Sequence, residues 1–253
     1  MRKLLRNCFC SFALIAAFVA SAKASETPAK TQPPVSYAAV PWLQLFGGYV
    51  VAPDSWYGYA GGVAAFNRNL NQDGWLFRIA GGDGNYKYNI VPGLSHGVNF
   101  QTGDIMIGYQ AYLGDTRITG YVGANVEDHH NNTDPLAKIK GTKWGIKGQG
   151  EIYAPLNQYW YLYALGTVSS VWNNYLAMGK VGYNITPVIS FGPEVMALGN
   201  DRFDAIRTGP FFAFKITPSA DLIVSVGYTW DERSDSLNDH SGVYATVHLR
   251  GLF

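Results

Sequence analysis

The chain has 253 residues, a formal net charge of +1, 15% charged and 15% aromatic residues, and 29 glycines. No basic stripe stands out, which excludes nucleic acid as an expected partner. Abundant Gly, 17 Tyr and 7 Trp beside so few charges suit a β-protein whose apolar and polar faces cancel on average, either a membrane barrel or a soluble sandwich.

Residues 1–24 read as a cleaved signal peptide: Arg2, Lys3 and Arg6 precede an apolar run from Phe9 to Ala20, and Ala22-Lys23-Ala24 supplies the cleavage site. Both cysteines, Cys8 and Cys10, fall inside it, so the mature chain is expected to hold no disulfide and no cysteine metal site. Cys8 precedes the apolar run, with Arg6 and Asn7 where small residues are needed, which argues against a lipid anchor. Residues 25–41 (SETPAKTQPPVSYAAVP) read as a flexible periplasmic leader. No later stretch is apolar over the roughly 18 residues of a membrane helix, so any membrane crossing must be made by strands.

From Trp42 onward the pattern predicts about twelve strands, at 42–52, 56–66, 74–81, 103–113, 117–126, 143–153, 159–170, 174–183, 188–198, 205–216, 221–231 and 242–253. Ten or fourteen follow if 82–102 or the region around Trp172 divides differently. Alternation is clean in several. Ile105, Ile107, Tyr109 and Leu113 oppose Met106, Gly108 and Gln110; Leu222, Val224, Val226, Tyr228 and Trp230 oppose Ser225, Gly227, Thr229 and Asp231. In the last segment Val243, Ala245, Val247 and Leu249 oppose Tyr244, Thr246, His248 and Arg250, and the chain closes on Phe253, an aromatic terminus similar to that of outer-membrane proteins. The expected fold is therefore an all-β, antiparallel, up-and-down transmembrane β-barrel over residues 42–253. A soluble sandwich is the rival.

Connection lengths point the same way. With the N-terminus in the periplasm, NRNLNQD, GDT, APLNQ, NITP and TPSA are the short inner turns, while 82–102, 127–142, 199–204 and 232–240 are outer loops. Short outer connections near Pro53 and Asn173 depart from this pattern. Pro193 and Pro210 sit mid-strand, where a proline removes a ladder donor, and a bulge or bend is expected there. Trp56-Tyr57, Tyr159-Trp160-Tyr161 and Tyr228/Trp230 suggest aromatic girdles at the headgroups.

The lumen-facing candidates are Arg117, Tyr121, Lys147, Gln149, Glu151, Glu194, Arg207, Lys215, Tyr244, His248 and Arg250, accompanied by Arg78, Tyr112, Tyr161, Tyr163, Lys180 and Asp231. Their mixed signs predict ion pairs that fill the bore; the alternative is a wet lining with aromatic faces, suited to a neutral polyhydroxylated chain. A lipid hydrolase built on His248 lacks both a serine within two residues and a G-x-S-x-G motif. Glu127-Asp128-His129-His130 with Asn131, Asn132 and Asp134 offers metal ligands but no calcium-loop pattern, and reads as a solvated loop, as does 231–240. No catalytic residue, cofactor or metal is expected.

SWYGYAGGVAAFNRNLNQDGWLFRIAGGDGNYKY (55–88), IMIGYQ (105–110), GYVGANVEDH (120–129), KGTKWGIKGQGEIYAP (140–155) and SFGPEVMALGNDRFDAIRTGPF (190–211) together resemble the BcsS family of bacterial cellulose biosynthesis proteins. The resemblance is one of glycines and aromatics, and transfers no active-site residue. It implies an outer-membrane protein that assists production or export of cellulose or a related polysaccharide, with lipid, a glucan chain or export machinery as partners. A general small porin or adhesin is the first alternative, an outer-membrane lipid hydrolase the second.

Overall fold

The computed structural model describes residues 40–91, 94–130, 134, 137–233 and 240–253. The expected signal peptide, the leader up to residue 39 and part of the two polar loops (131–133, 234–239) lie outside them.

Twelve strands form one closed antiparallel barrel in chain order. They are β1 (Leu43–Ala52), β2 (Ser55–Ala65), β3 (Gly74–Val91), β4 (Leu94–Leu113), β5 (Thr116–His130), β6 (Gly141–Pro155), β7 (Trp160–Ser169), β8 (Tyr175–Asn184), β9 (Ile189–Gly199), β10 (Phe203–Thr217), β11 (Ala220–Arg233) and β12 (Gly242–Leu252). β1 closes on β12, with Gln44 opposite Leu252 and Val51 opposite Ala245. Phe253 extends that seam: its carbonyl accepts the Trp42 N–H at 2.7 Å, and its N–H donates to the Leu43 carbonyl at 2.8 Å. Every strand thereby has two neighbours, as hydrocarbon demands of a polar backbone.

All twelve expected strands are present, but several run further than their alternation suggested. The expected loop 82–102 is instead a hairpin arm in which β3 continues to Val91 and β4 starts at Leu94, with Asp83 opposite Gln101 and Asn89 opposite Ser95. Likewise β5 reaches His130 and β6 begins at Gly141, which shortens the expected 127–142 loop. β3 and β4 have 18 and 20 residues, about twice the 9–11 that a tilted strand needs to cross hydrocarbon. Beyond the lipid the outer face turns polar, with Asp83, Asn85, Lys87 and Asn89, while Tyr88, His96 and Val98 are buried, so pairing goes on after the outer apolar row has stopped.

The outer surface is apolar. Leu45, Ile79, Ile105, Ile107, Val122, Val195, Ile206, Val226 and Val247 are all exposed side chains on strands, a patch far beyond what a soluble monomer presents. Aromatic rings flank this aliphatic band at both edges. At the loop end Tyr49 stacks on Trp56 at 5.8 Å and Tyr228 meets Trp230 at 5.0 Å. At the turn end Trp75 meets Tyr109 at 5.4 Å and Trp160 meets Tyr183 at 4.9 Å. Aliphatic centre and aromatic margins are the surface of a barrel that spans a bilayer.

Pro193 and Pro210 stand opposite each other in the β9–β10 ladder. Neither has an N–H, so theirs is a pair that needs no bond between the two strands, and each missing donor points away, toward β8 and β11. The ladders there skip Val181 and Gly182 on one side and Gly227 and Val226 on the other, with the register unchanged beyond each gap. Of the expected bulge or bend, no bulge is present: the register is kept across two matched gaps.

Candidate functional site

The alternation that exposes the apolar row turns its opposite into a cavity of about 1130 Å³, lined from rim to rim. Ser55, Tyr86, Lys138 and Asn200 line it at the loop end, and Gln44, Tyr159, Thr186 and Val188 at the turn end. Arg117, Tyr121, Lys147, Gln149, Glu151, Glu194, Arg207, Lys215, His248 and Arg250 all line it. Tyr244 is wholly buried and donates to Glu194 Oε1 at 3.2 Å.

Asp104, Glu194 and Asp221 pair with cations along the wall. Asp104 binds Arg78 from the neighbouring strand and accepts from Lys147 Nζ at 2.7 Å. Glu194, 2% exposed, accepts from Lys180 Nζ at 2.6 Å and from Ser225 Oγ at 3.2 Å. Arg250 binds Asp221 directly opposite on β11, and Gln149 donates to Glu151 at 2.6 Å. A charge taken from water costs several kcal/mol unless paired and hydrogen-bonded, and these pairs between near-neighbour strands meet that cost while leaving the cavity beside them.

Each end is narrowed by a connection folded inward. The β2–β3 turn drops Leu70 against Val63, Leu76, Met106 and Tyr121. It is held there by the Leu70 N–H to the Pro41 carbonyl at 2.8 Å. Gln110 and Tyr112 both donate to the Leu70 carbonyl, at 3.0 and 2.9 Å. At the loop end Trp172, in the left-handed region at φ 46°, packs with Ile139 and Val171 and stands edge-on to His129 at 4.6 Å.

Between these ends, rings from four strands, with His248 of a fifth, form a continuous column on one wall. Tyr88 stacks on Tyr86 at 6.3 Å, Tyr86 tilts against Phe100 at 5.9 Å, and Phe100 stacks on Tyr57 at 5.6 Å. Tyr57 then neighbours Tyr59 at 5.7 Å, Tyr59 neighbours His248 at 6.0 Å, and His248 neighbours Phe46 at 6.4 Å. All seven side chains line the cavity. Glycines seat them: a Cβ on Gly48 would meet the tip of Tyr59, one on Gly82 the tip of Tyr57, one on Gly84 Phe100 and one on Gly61 Phe46. A ring whose tip covers the neighbouring strand's backbone lies along the wall instead of projecting across the bore.

The model of the family described as "Cellulose biosynthesis protein BcsS" matches residues 44–253, from the second residue of β1 through Phe253. The chain belongs to the BcsS family. No curated protein sequence matches it. Among solved structures it is similar to a KdgM porin, at 9% identity and a TM-score of 0.47 over 83% of this chain and 99% of the porin. It is also similar to the β domain of the Bordetella autotransporter BrkA, at 12% identity and a TM-score of 0.47 over 84% and 98%. A third likeness is to an outer-membrane channel from Pseudomonas putida F1, at 13% identity and a TM-score of 0.41 over 88% and 100%.

In this BcsS-family barrel the sites suggested by local motifs are arranged differently. His248 Nδ1 lies 3.0 Å from the Tyr59 hydroxyl, so its hydrogen-bond partner is a phenol of the column and not a serine. Glu127 and His129, expected in a solvated loop, are buried on β5 with 3.4 Å between them, and Asn174 donates to Glu127 at 2.6 Å. Asp128 and His130 face the other way, as alternation requires, and no group of three metal-ligating side chains occurs among the described residues. Tyr57 and Tyr161, read with the girdles, line the cavity instead, whereas Trp160, Tyr228 and Trp230 are exposed on the outer surface. The column escaped sequence reasoning because its members are scattered over β1–β4 and β12, although their strand parity alone assigns each to the inner face.

Proposed function

We propose that this protein is a non-enzymatic outer-membrane barrel that assists extracellular cellulose production, and that it acts by guiding the glucan outward. Family membership over residues 44–253 carries the cellulose assignment. The apolar belt supports a membrane location. A cavity lined at both rims favours guiding a chain over merely anchoring the export machinery, since an anchor has no use for one. Deleting the gene and staining colonies with a cellulose-binding dye tests the assignment: surface cellulose falls and returns on complementation. Unchanged cellulose contradicts it. Conductance of the purified protein in planar bilayers separates a general porin, which passes small ions freely at all times, from a chain-guiding barrel whose current an entering oligosaccharide interrupts.

A further inference from the structure

The aromatic column is longer than the run of Tyr153, Tyr161 and Phe211 on the other side of the lumen, and its geometry selects a ligand class. Phe46 lies opposite Gly61, and Gly61 opposite Ala80 on β3. From Ala80 to Tyr88 is eight residues along the same strand, about 27 Å at about 3.4 Å per residue. The column therefore offers a narrow apolar strip several sugar rings long. Phe46, Tyr57, Tyr59 and Phe100 lie along the wall on glycine seats, which keeps the strip low against the barrel wall. Its own polar atoms are phenols and one imidazole, and Thr102, which bonds the Tyr57 hydroxyl at 2.8 Å, lines the same cavity with Gln44 and Thr246. Acids and bases meet the strip at its ends, where Arg78 lies over the Phe46 ring at 5.4 Å and Tyr88 donates to Asp134 at 2.8 Å; Glu194 and Asp221 hold Lys180 and Arg250 on other strands.

A flat apolar strip bordered by hydroxyls and amides fits a flat chain with apolar faces and polar edges. In a β-1,4-linked glucan every hydroxyl is equatorial, so the C–H bonds crowd both faces of each ring and the hydroxyls point sideways. An α-1,4-linked glucan coils and cannot lie along a straight strip. We infer that Tyr88, Tyr86, Phe100, Tyr57, Tyr59 and Phe46 form a stacking track for a neutral β-1,4-linked glucan. This inference rests on the glucan-guiding reading above. It names the surface along which the chain slides. His248 lies beside Phe46 and bonds Tyr59 at the end of the track.

The test uses the purified full-length barrel in detergent, with folding verified by its gel shift on boiling, and three probes: cellohexaose, maltohexaose and an oligogalacturonate. Calorimetry is expected to show cellohexaose binding at least tenfold tighter than either other probe. Tyr57→Ala/Tyr59→Ala is expected to weaken it at least tenfold, and Tyr59→Phe, which keeps the ring and loses the hydroxyl, to preserve it within twofold. If the alanine variant does not refold, Tyr59→Leu keeps the bulk without the flat face and carries the same expected loss. No cellohexaose binding, equal binding of maltohexaose, preference for oligogalacturonate, unaffected alanine or leucine variants, or loss in Tyr59→Phe would each overturn the track. Failure here remains distinct from failure of the proposed function: cellulose lost on deletion without cellohexaose binding removes only the track, whereas cellohexaose binding with unchanged cellulose in the deletion removes only the cellular role.

Discussion

Tyr59 lies across Gly48. The two are direct partners in the β1–β2 ladder, and Gly48 is at the same time the partner of His248 on β12. The bare backbone at Gly48 is what lets the Tyr59 ring pass over β1 and bring its hydroxyl to 3.0 Å from His248 Nδ1. One missing side chain thus ties three strands together at the barrel seam.

Gly48→Ala tests this directly. The added Cβ would stand 2.5 Å from the Tyr59 hydroxyl oxygen and 2.8 Å from the Val247 carbonyl oxygen. Overpacking of this kind costs about 1–3 kcal/mol, so the midpoint of heat-induced unfolding in detergent falls clearly. Gly120→Ala, where nothing lies within 4 Å of the new Cβ, is expected to change stability by less than about 0.5 kcal/mol. Equal midpoints for the two variants would rule out the seat.

Glu194 supports the lumen wall on β9. Glu194→Ala leaves Lys180, whose side chain is 12% exposed, without its carboxylate, along with the donors of Ser225 and Tyr244. Removing one partner of a buried pair costs about 3–5 kcal/mol. Adding Lys180→Met to Glu194→Gln removes the stranded charge and is expected to recover most of that loss in a denaturant titration. A double variant no more stable than Glu194→Ala would mean that the pair does not neutralise a buried charge.

At the matched prolines, the glycines are the sensitive positions. A Cβ on Gly192 would collide with the Val181 carbonyl, and one on Gly209 with the Val226 carbonyl; Gly192→Ala is therefore expected to cost more than about 1 kcal/mol. Pro193→Ala regains a donor toward β8 while losing the proline's restriction of the unfolded chain, and stays within about 1 kcal/mol of the parent. The reverse order in thermal melts would contradict the arrangement.

The Leu70 turn predicts a change in conduction. Leu70→Ala withdraws the side chain packed against Leu76, Met106 and Tyr121. Single-channel conductance in planar bilayers should rise, with a stability loss of about 2–5 kcal/mol. An unchanged conductance would show that the turn does not restrict the bore.

The strands that cross lipid were legible because hydrocarbon on one side and water on the other impose a period of two, as on β12 from Val243 to Arg250. The arm formed by residues 83–89 and 95–101 was not, since its outer face is polar and its apolar side chains, such as Val98 and Tyr88, are buried, so the outward apolar row that marks lipid is missing while backbone pairing continues. Individual lumen residues such as Lys147 and Glu194 followed from parity, but their partners did not: Asp104, which binds both Arg78 and Lys147, is brought to them only by barrel closure and register. The Leu70 plug was hidden for another reason. NRNLNQD reads as a polar turn, and its single leucine becomes a core residue only because Gln110 and Tyr112 wait above it.

The central claim is that the aliphatic row of these strands faces hydrocarbon. Cys8 and Cys10 are the only cysteines and both precede the barrel, so single cysteines introduced at 246, 247, 248 and 249 can each carry a spin label in a lipid-reconstituted sample with Cys8 and Cys10 absent. Labels at Val247 and Leu249 are expected to relax with dissolved oxygen and be shielded from a water-soluble nickel complex, while labels at Thr246 and His248 show the opposite. Uniform access of the nickel complex to all four positions would contradict the account.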